Sequence, residues 1–164
     1  MISLCSNHNF VRTDHDTNEN QVIVNSKYWI IAGAISAAAA VALGAIGAHT
    51  LEGWLEKTFE PAIAAAKMQT WQTAAQYHRF HAVGMIIVGL LQQRSAAKTI
   101  RAAGWLMILG TFLFSGLLYV YTVAPSKWMG PIFPLGGFSF IAAWLLLGFG
   151  AFKQGELTES RKQT

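Results

Sequence analysis

The chain has 164 residues, of which 53% are hydrophobic and only 12% charged, and its formal net charge is +4. A water-soluble domain carries about 25% charged residues, so that class is excluded, while the length suffices for one compact domain. The basic residues are scattered over tails and loops with no interleaved exposed aromatics, which excludes a nucleic-acid partner.

Residues 1–27 form a polar tail (Asn7, Asn9, Asp14, Asp16, Asn18, Glu19, Asn20) without the apolar core and small-residue cleavage site of a signal peptide. The tail has too few apolar residues to fold alone, so disorder is expected up to about Ser26. Its Cys5 is the one cysteine of the chain, which allows neither an internal disulfide nor a cysteine-based metal motif.

Four apolar segments follow, at about 28–48, 74–93, 102–123 and 132–152. About 20 helical residues cross a hydrocarbon core of about 30 Å. The expected fold is all-α: an integral membrane four-helix bundle over 28–153, running up-down-up-down because the connections are short. A polar tail, 154–164, closes the chain.

In the first span, Ser36, Ala40, Gly44 and Ala48 recur every four residues. Small residues on one helical face let backbones approach closely in lipid. Between the first two spans, Leu51, Trp54, Leu55 and Phe59 alternate with Glu52, Glu56, Lys57 and Glu60, which predicts a short helix on the membrane surface. Pro61 then suits the first turn of a new helix. No breaker but glycine follows until Gln93, so the second span is expected within one long helix starting near Pro61; the alternative is a separate surface helix with a kink near Trp71. The third span ends before Pro125. Pro131, Pro134, Gly136 and Gly137 make the start of the fourth irregular.

With four spans, both termini and the loop between spans two and three share one side. That side carries Arg12, Lys27, Arg94, Lys98, Arg101, Lys153, Arg161 and Lys162, against Lys57, Lys67 and Lys127 on the other. The positive-inside rule puts both termini in the cytoplasm, and Arg94, Lys98 and Arg101 where anionic lipid headgroups lie. Tyr28, Trp29 and Trp105 mark the inner edge, and Trp71, Tyr121 and Trp128 the outer.

Ionisable side chains within a membrane are costly and mark candidate sites. Here they are His49, His78, Arg79 and His81, joined by Gln76, Tyr77, Ser115 and Tyr119; all fall in the outer half of the bilayer. At about 100° per residue, Tyr77, His81, Gly84 and Val88 share a face with His78 at its margin, and Arg79 points away. Gly104, Thr111, Ser115, Tyr119 and Thr122 share a face of span three, and Gly136, Ser139, Ala143 and Gly150 one of span four. His49, Tyr77, His78, His81, Ser115 and Tyr119 thus form the expected polar cluster.

Each has a plainer reading. His49 at a helix end meets the helix dipole favourably. Hydrogen bonds that lock helices together, such as His81 to Tyr119 or to a backbone carbonyl, account for the rest. No Asp or Glu lies within the spans, and a closed zinc site wants four ligands, so no metal is expected. Haem would require His49 and His81 to face one cavity, and no cofactor is expected. Ser115 has no acid to orient a histidine base, which argues against acyl transfer.

Four stretches resemble one family: Gly44-Ala45-Ile46-Gly47-Ala48-His49; Trp71-Gln72-Thr73-Ala74-Ala75-Gln76-Tyr77 followed by His81; Phe114-Ser115-Gly116-Leu117-Leu118-Tyr119; and Pro134-Leu135-Gly136-Gly137. They look like the small inner-membrane family known as domain of unknown function 423, whose eukaryotic relatives include transmembrane protein 256. The resemblance covers about residues 30–152 and matches at His49, Tyr77, His81, Ser115, Tyr119 and Gly136. It implies a four-helix protein of bacterial plasma membranes or organelles with no established activity. The polar tail before Tyr28 departs from the pattern.

The expected function is non-enzymatic: assisting a partner membrane protein, or binding a small ligand at the outer polar cluster. The alternative is a component of small-solute or ion transport, built as a homo-oligomer, because the inner halves of the spans show only Thr111 and glycines.

Overall fold

A computed structural model describes residues 14–94 and 97–162 of the chain. Among the described residues the ordered elements are all helical. Helix α1 (Asp14–Ile46) passes through a π-helical turn (Gly47–Leu51) into α2 (Glu52–Thr58) without a break. The chain turns only at Phe59, whose backbone is extended (φ −127°, ψ 157°). Pro61 then opens α3 (Pro61–Gln92), where its missing N–H is no loss. Helix α4 (Lys98–Gly110), a second π-helical turn (Thr111–Gly116) and α5 (Leu117–Val123) form one rod, and α6 (Phe133–Lys162) closes the fold.

Three of the expected edges move. Helix α1 already begins at Asp14, so the polar stretch from 14 to 27 is helical, while residues 1–13 lie outside the described part. The first rod does not end at His49 but runs on to Thr58, because nothing between Gly47 and Thr58 stops a helix. Helix α6 continues through the polar residues after Gln154 to Lys162. Pro134 falls in the first turn of α6, where it is tolerated.

Three helical stretches are long and apolar enough to cross a membrane: Ser26–Thr58, Lys98–Val123 and Phe133–Glu156, with mean hydropathies of 2.1, 1.9 and 1.8. The expected second span, 74–93, is not among them. At 32 residues α3 is long enough, about 48 Å, but Gln76, His78, Arg79, His81 and Gln92 dilute its apolar character.

Helices α1 and α3 lie antiparallel with their backbones in contact. A Cβ added at Gly33 would stand 2.8 Å from the Ala82 carbonyl oxygen, and one at Gly89 would stand 2.9 Å from that of Ser26. The buried small residues of α1 and its π-turn recur every seven positions, at Ser26, Gly33, Ala40 and Gly47; on α3, Ala75, Ala82 and Gly89, three of its buried small residues, keep the same spacing. A seven-residue repeat keeps one seam facing a partner along its whole length. This corrects the expected four-residue stripe: Ala40 is fully buried, but Ser36 and Gly44 are half-buried and Ala48 is exposed. Helices α4 and α6 make a second antiparallel pair. Gly110 receives the Phe140 ring, Gly136 meets the Phe114 backbone nitrogen (2.7 Å from an added Cβ), and Gly150 receives Ile100. An added Cβ at Gly137 meets nothing within 4 Å, so this residue packs no helix.

Two apolar clusters fill the interior. One gathers Trp29, Ala82, Met85, Val88, Ile100, Met107 and Leu147; the other gathers Leu51, Leu55, Trp71, Ala75, Leu118 and Tyr119. Trp29 and Trp71, expected at the membrane edges, are therefore core residues. Trp29 lies over Gly104, edge-on to Trp105 at 5.5 Å between ring centroids. Tyr28, Trp54, Trp105, Tyr121 and Trp128 stay exposed.

Candidate functional site

Helix α3 carries two buried histidines that belong to neither apolar cluster, His78 and His81. They are three residues apart and look to different neighbours, so the single expected polar cluster divides into two sites.

His78 faces α1 and α5. Its Nε2 lies 3.0 Å from the hydroxyl of Ser36, which ties α3 to α1. Its ring meets Tyr119 edge-on at 6.1 Å between centroids, and Tyr119 in turn packs on Trp71 at 4.6 Å. The Trp71 indole N–H donates to the Leu43 carbonyl (3.0 Å), and Gly47 leaves it room: an added Cβ there would stand 2.5 Å from the indole nitrogen. Three buried polar atoms here have no partner: Nδ1 of His78, the phenol oxygen of Tyr119, and Oγ of Ser115 in the second π-turn. Unsatisfied buried groups are costly, and π-turns concentrate at functional sites. Beside them runs a cleft of about 470 Å³ between α1 and the α4–α5 rod, lined by Ile35, Ser36, Leu43, His78, Met85, Thr111, Phe112 and Tyr119.

His81 faces α6. Its Nδ1 is 2.7 Å from the carbonyl oxygen of Tyr77, one turn back on its own helix. Its ring stacks on Phe140 at 3.4 Å between centroids and 12° between planes. Of the two expected partners of His81, Tyr119 or a backbone carbonyl, the carbonyl is the one found, on its own helix; the histidine that joins α3 to α1 is His78. Tyr77, nearly half exposed, rests on Phe114 at 4.7 Å. A second cleft, about 450 Å³, opens between α3 and α6 here.

The other expected residues lie apart. His49 is exposed in the first π-turn and joins neither site. Arg79 is exposed, and its guanidinium lies against Gly44 (3.6 Å from an added Cβ). Arg94, Lys98 and Arg101 are exposed at the turn between α3 and α4. Among the described residues no group of three or more His, Cys, Asp or Glu side chains is placed to hold a metal ion. Lys67, a loop charge by sequence, makes contacts of its own. Lys67 donates to the Thr122 carbonyl (2.7 Å) in the last turn of α5 and lies over the Phe59 ring at 4.8 Å. A cation favours the carbonyl end of a helix, but no local pattern links positions 55 residues apart.

The model of a family described as protein of unknown function (DUF423) matches residues 43–137. The UPF0382 membrane protein YwdK of Bacillus subtilis is 42% identical to the chain over 128 residues, covering 77% of this chain and 98% of the relative. A UPF0382 membrane protein of Staphylococcus haemolyticus is 38% identical over 77% of this chain and 97% of its own. One of Staphylococcus saprophyticus is 35% identical, with 77% and 98% covered. No solved structure matches the chain.

Proposed function

The chain belongs to the DUF423 family, a membrane-protein family of unknown function, and we propose that it is a non-enzymatic binding protein for a small lipophilic molecule, held in the cleft beside His78. One observation carries this reading: His78 and Tyr119 line a cleft with almost wholly apolar walls, and the His78 Nδ1 and the Tyr119 phenol, unpartnered and sealed behind that wall, come within a ligand's reach once the rings turn. Pockets for small molecules combine apolar walls with a few polar groups that fix orientation. Catalysis has little support, since Ser115 is fully buried and the sequence holds no acidic residue between Glu60 and Glu156.

The setting we propose is the bacterial inner membrane, with the polar half of α3 as a fourth crossing and the helices running up-down-up-down. Both termini are cytoplasmic. The antiparallel pairing of α1 with α3 and of α4 with α6 supports this arrangement. So do the eight basic residues on one side against three on the other. Two of the polar residues of α3, His78 and His81, are turned into protein rather than lipid, which lowers their cost there.

The test is native mass spectrometry of the chain released from mild detergent, beside the His78→Phe variant. An extra mass of a few hundred daltons that is lost in the variant is the expected result. Bare chains in both preparations overturn the reading.

A further inference from the structure

The cleft between α3 and α6 carries a second site, independent of the one beside His78, and its polar chemistry is defined by one hydrogen bond. A carbonyl oxygen only accepts, so the 2.7 Å contact from His81 Nδ1 to the Tyr77 carbonyl requires the proton on Nδ1. In the neutral ring Nε2 is then an unprotonated acceptor. Among the described residues it has no partner, and it is not one of the sealed polar atoms, so it is open to the cleft that His81 lines. Stacking on Phe140 fixes the ring plane.

An acceptor at Nε2 calls for a donor, which a carbonyl or an ether cannot supply. A protonated amine would need a carboxylate that no residue between Glu60 and Glu156 supplies. A neutral donor fits, and an O–H is the strong one. The Trp144 indole N–H is itself sealed, so a ligand in the cleft does not reach it. Gln76 adds one polar side chain to the lining, and most of the remaining wall is aromatic: Tyr77, Phe80, Phe114 and Phe140. Phe80 is 60% exposed, so the mouth opens outward between the helices. Aromatic walls favour a flat ring in offset or edge contact.

We propose that this cleft binds a lipophilic phenol, a class that includes hydroquinones, entering from the surrounding lipid and donating its hydroxyl proton to His81 Nε2.

The test uses the full chain in lipid nanodiscs and two fluorine NMR probes of nearly equal size, para-trifluoromethylphenol and para-trifluoromethylanisole. The second cannot donate a hydrogen bond. After correction for partition into empty nanodiscs, the phenol should bind about fivefold tighter, as one net hydrogen bond implies. His81→Phe keeps a ring on Phe140 and should abolish the preference. Gly137→Leu should abolish binding of both probes, because Gly137 lines the cleft and an added Cβ there meets nothing within 4 Å. Equal affinity of the two probes, or a preference that survives His81→Phe, overturns the hydroxyl assignment. Binding untouched by Gly137→Leu overturns the site itself.

Discussion

Ser36 and His78, 42 residues apart in sequence, are joined across α1 and α3 by a 3.0 Å hydrogen bond. With the bond from the Trp71 indole N–H to the Leu43 carbonyl, it ties the first helix to the third at the level of the candidate site. Interhelical hydrogen bonds in lipid are worth about 0.6 kcal/mol on average and up to about 1.7. Ser36→Ala leaves His78 with both ring nitrogens buried and unpartnered, so the loss should lie near the top of that range, about 1.5 kcal/mol. Denaturant unfolding in mixed micelles, compared with Ala39→Ser as a nearby control, measures it. No loss on Ser36→Ala shows that the bond contributes nothing.

The seven-residue seam makes a sharper prediction, because two glycines of α1 should respond differently to one methyl group. At Gly33 the added carbon meets backbone, the Ala82 carbonyl oxygen at 2.8 Å, which cannot give way without separating the helices. At Gly44 its nearest neighbour is the flexible end of Arg79, at 3.6 Å. Gly33→Ala should therefore cost about 1–3 kcal/mol, the usual range for overpacking, and Gly44→Ala about nothing. Thermal unfolding of the two variants in one detergent decides it. Equal costs would point back to the four-residue stripe.

Much of this architecture was legible in the sequence, and the parts that were not share a physical reason. Of the four segments that apolar length marked as crossings, three lie in helices long and apolar enough to cross and the one at 74–93 does not; Pro61 with no later breaker identified the continuous α3. Helical phase put Ser115, Tyr119 and Thr122 on the buried face of their rod, as found. The seam was misread because Ala is so frequent in the first span that a period of four and a period of seven both fit; only the Gly33 and Gly89 contacts separate them. Trp29 and Trp71 are amphipathic rings near span ends, where edge and core positions look alike in sequence. The pairing of His78 with Ser36, and not of His81 with Tyr119, depends on where α1 crosses α3, which no local periodicity encodes. The π-turns at Gly47 and Thr111 carry no distinctive residues either.

The Trp71 indole offers a test of the first π-turn. It reaches over Gly47 to the Leu43 carbonyl, and an added Cβ at Gly47 would stand 2.5 Å from its nitrogen. Gly47→Ala should push the ring off Tyr119, against which it packs at 4.6 Å. The expected signature is a shift in the Trp71 contribution to fluorescence, isolated by comparison with Trp71→Phe, together with a loss of about 1–3 kcal/mol of stability. An unchanged spectrum would mean that the indole does not occupy the notch above Gly47.

Lys67 closes the carbonyl end of α5 from another helix, and this separates charge from packing. Its ammonium donates to the Thr122 carbonyl at 2.7 Å and covers the Phe59 ring at 4.8 Å. Lys67→Met keeps most of the aliphatic stem but removes the donor and the charge, while Lys67→Arg keeps both. A cation at a helix end contributes about 0.3–1 kcal/mol, and up to ~2 when partly buried, and Lys67 is half-buried. Lys67→Met should therefore lower stability by about 1 kcal/mol, and Lys67→Arg by less. Amide hydrogen exchange should localise the loss to the last turn of α5 and the turn that follows it. Faster exchange spread evenly over all helices would instead assign Lys67 a general packing role.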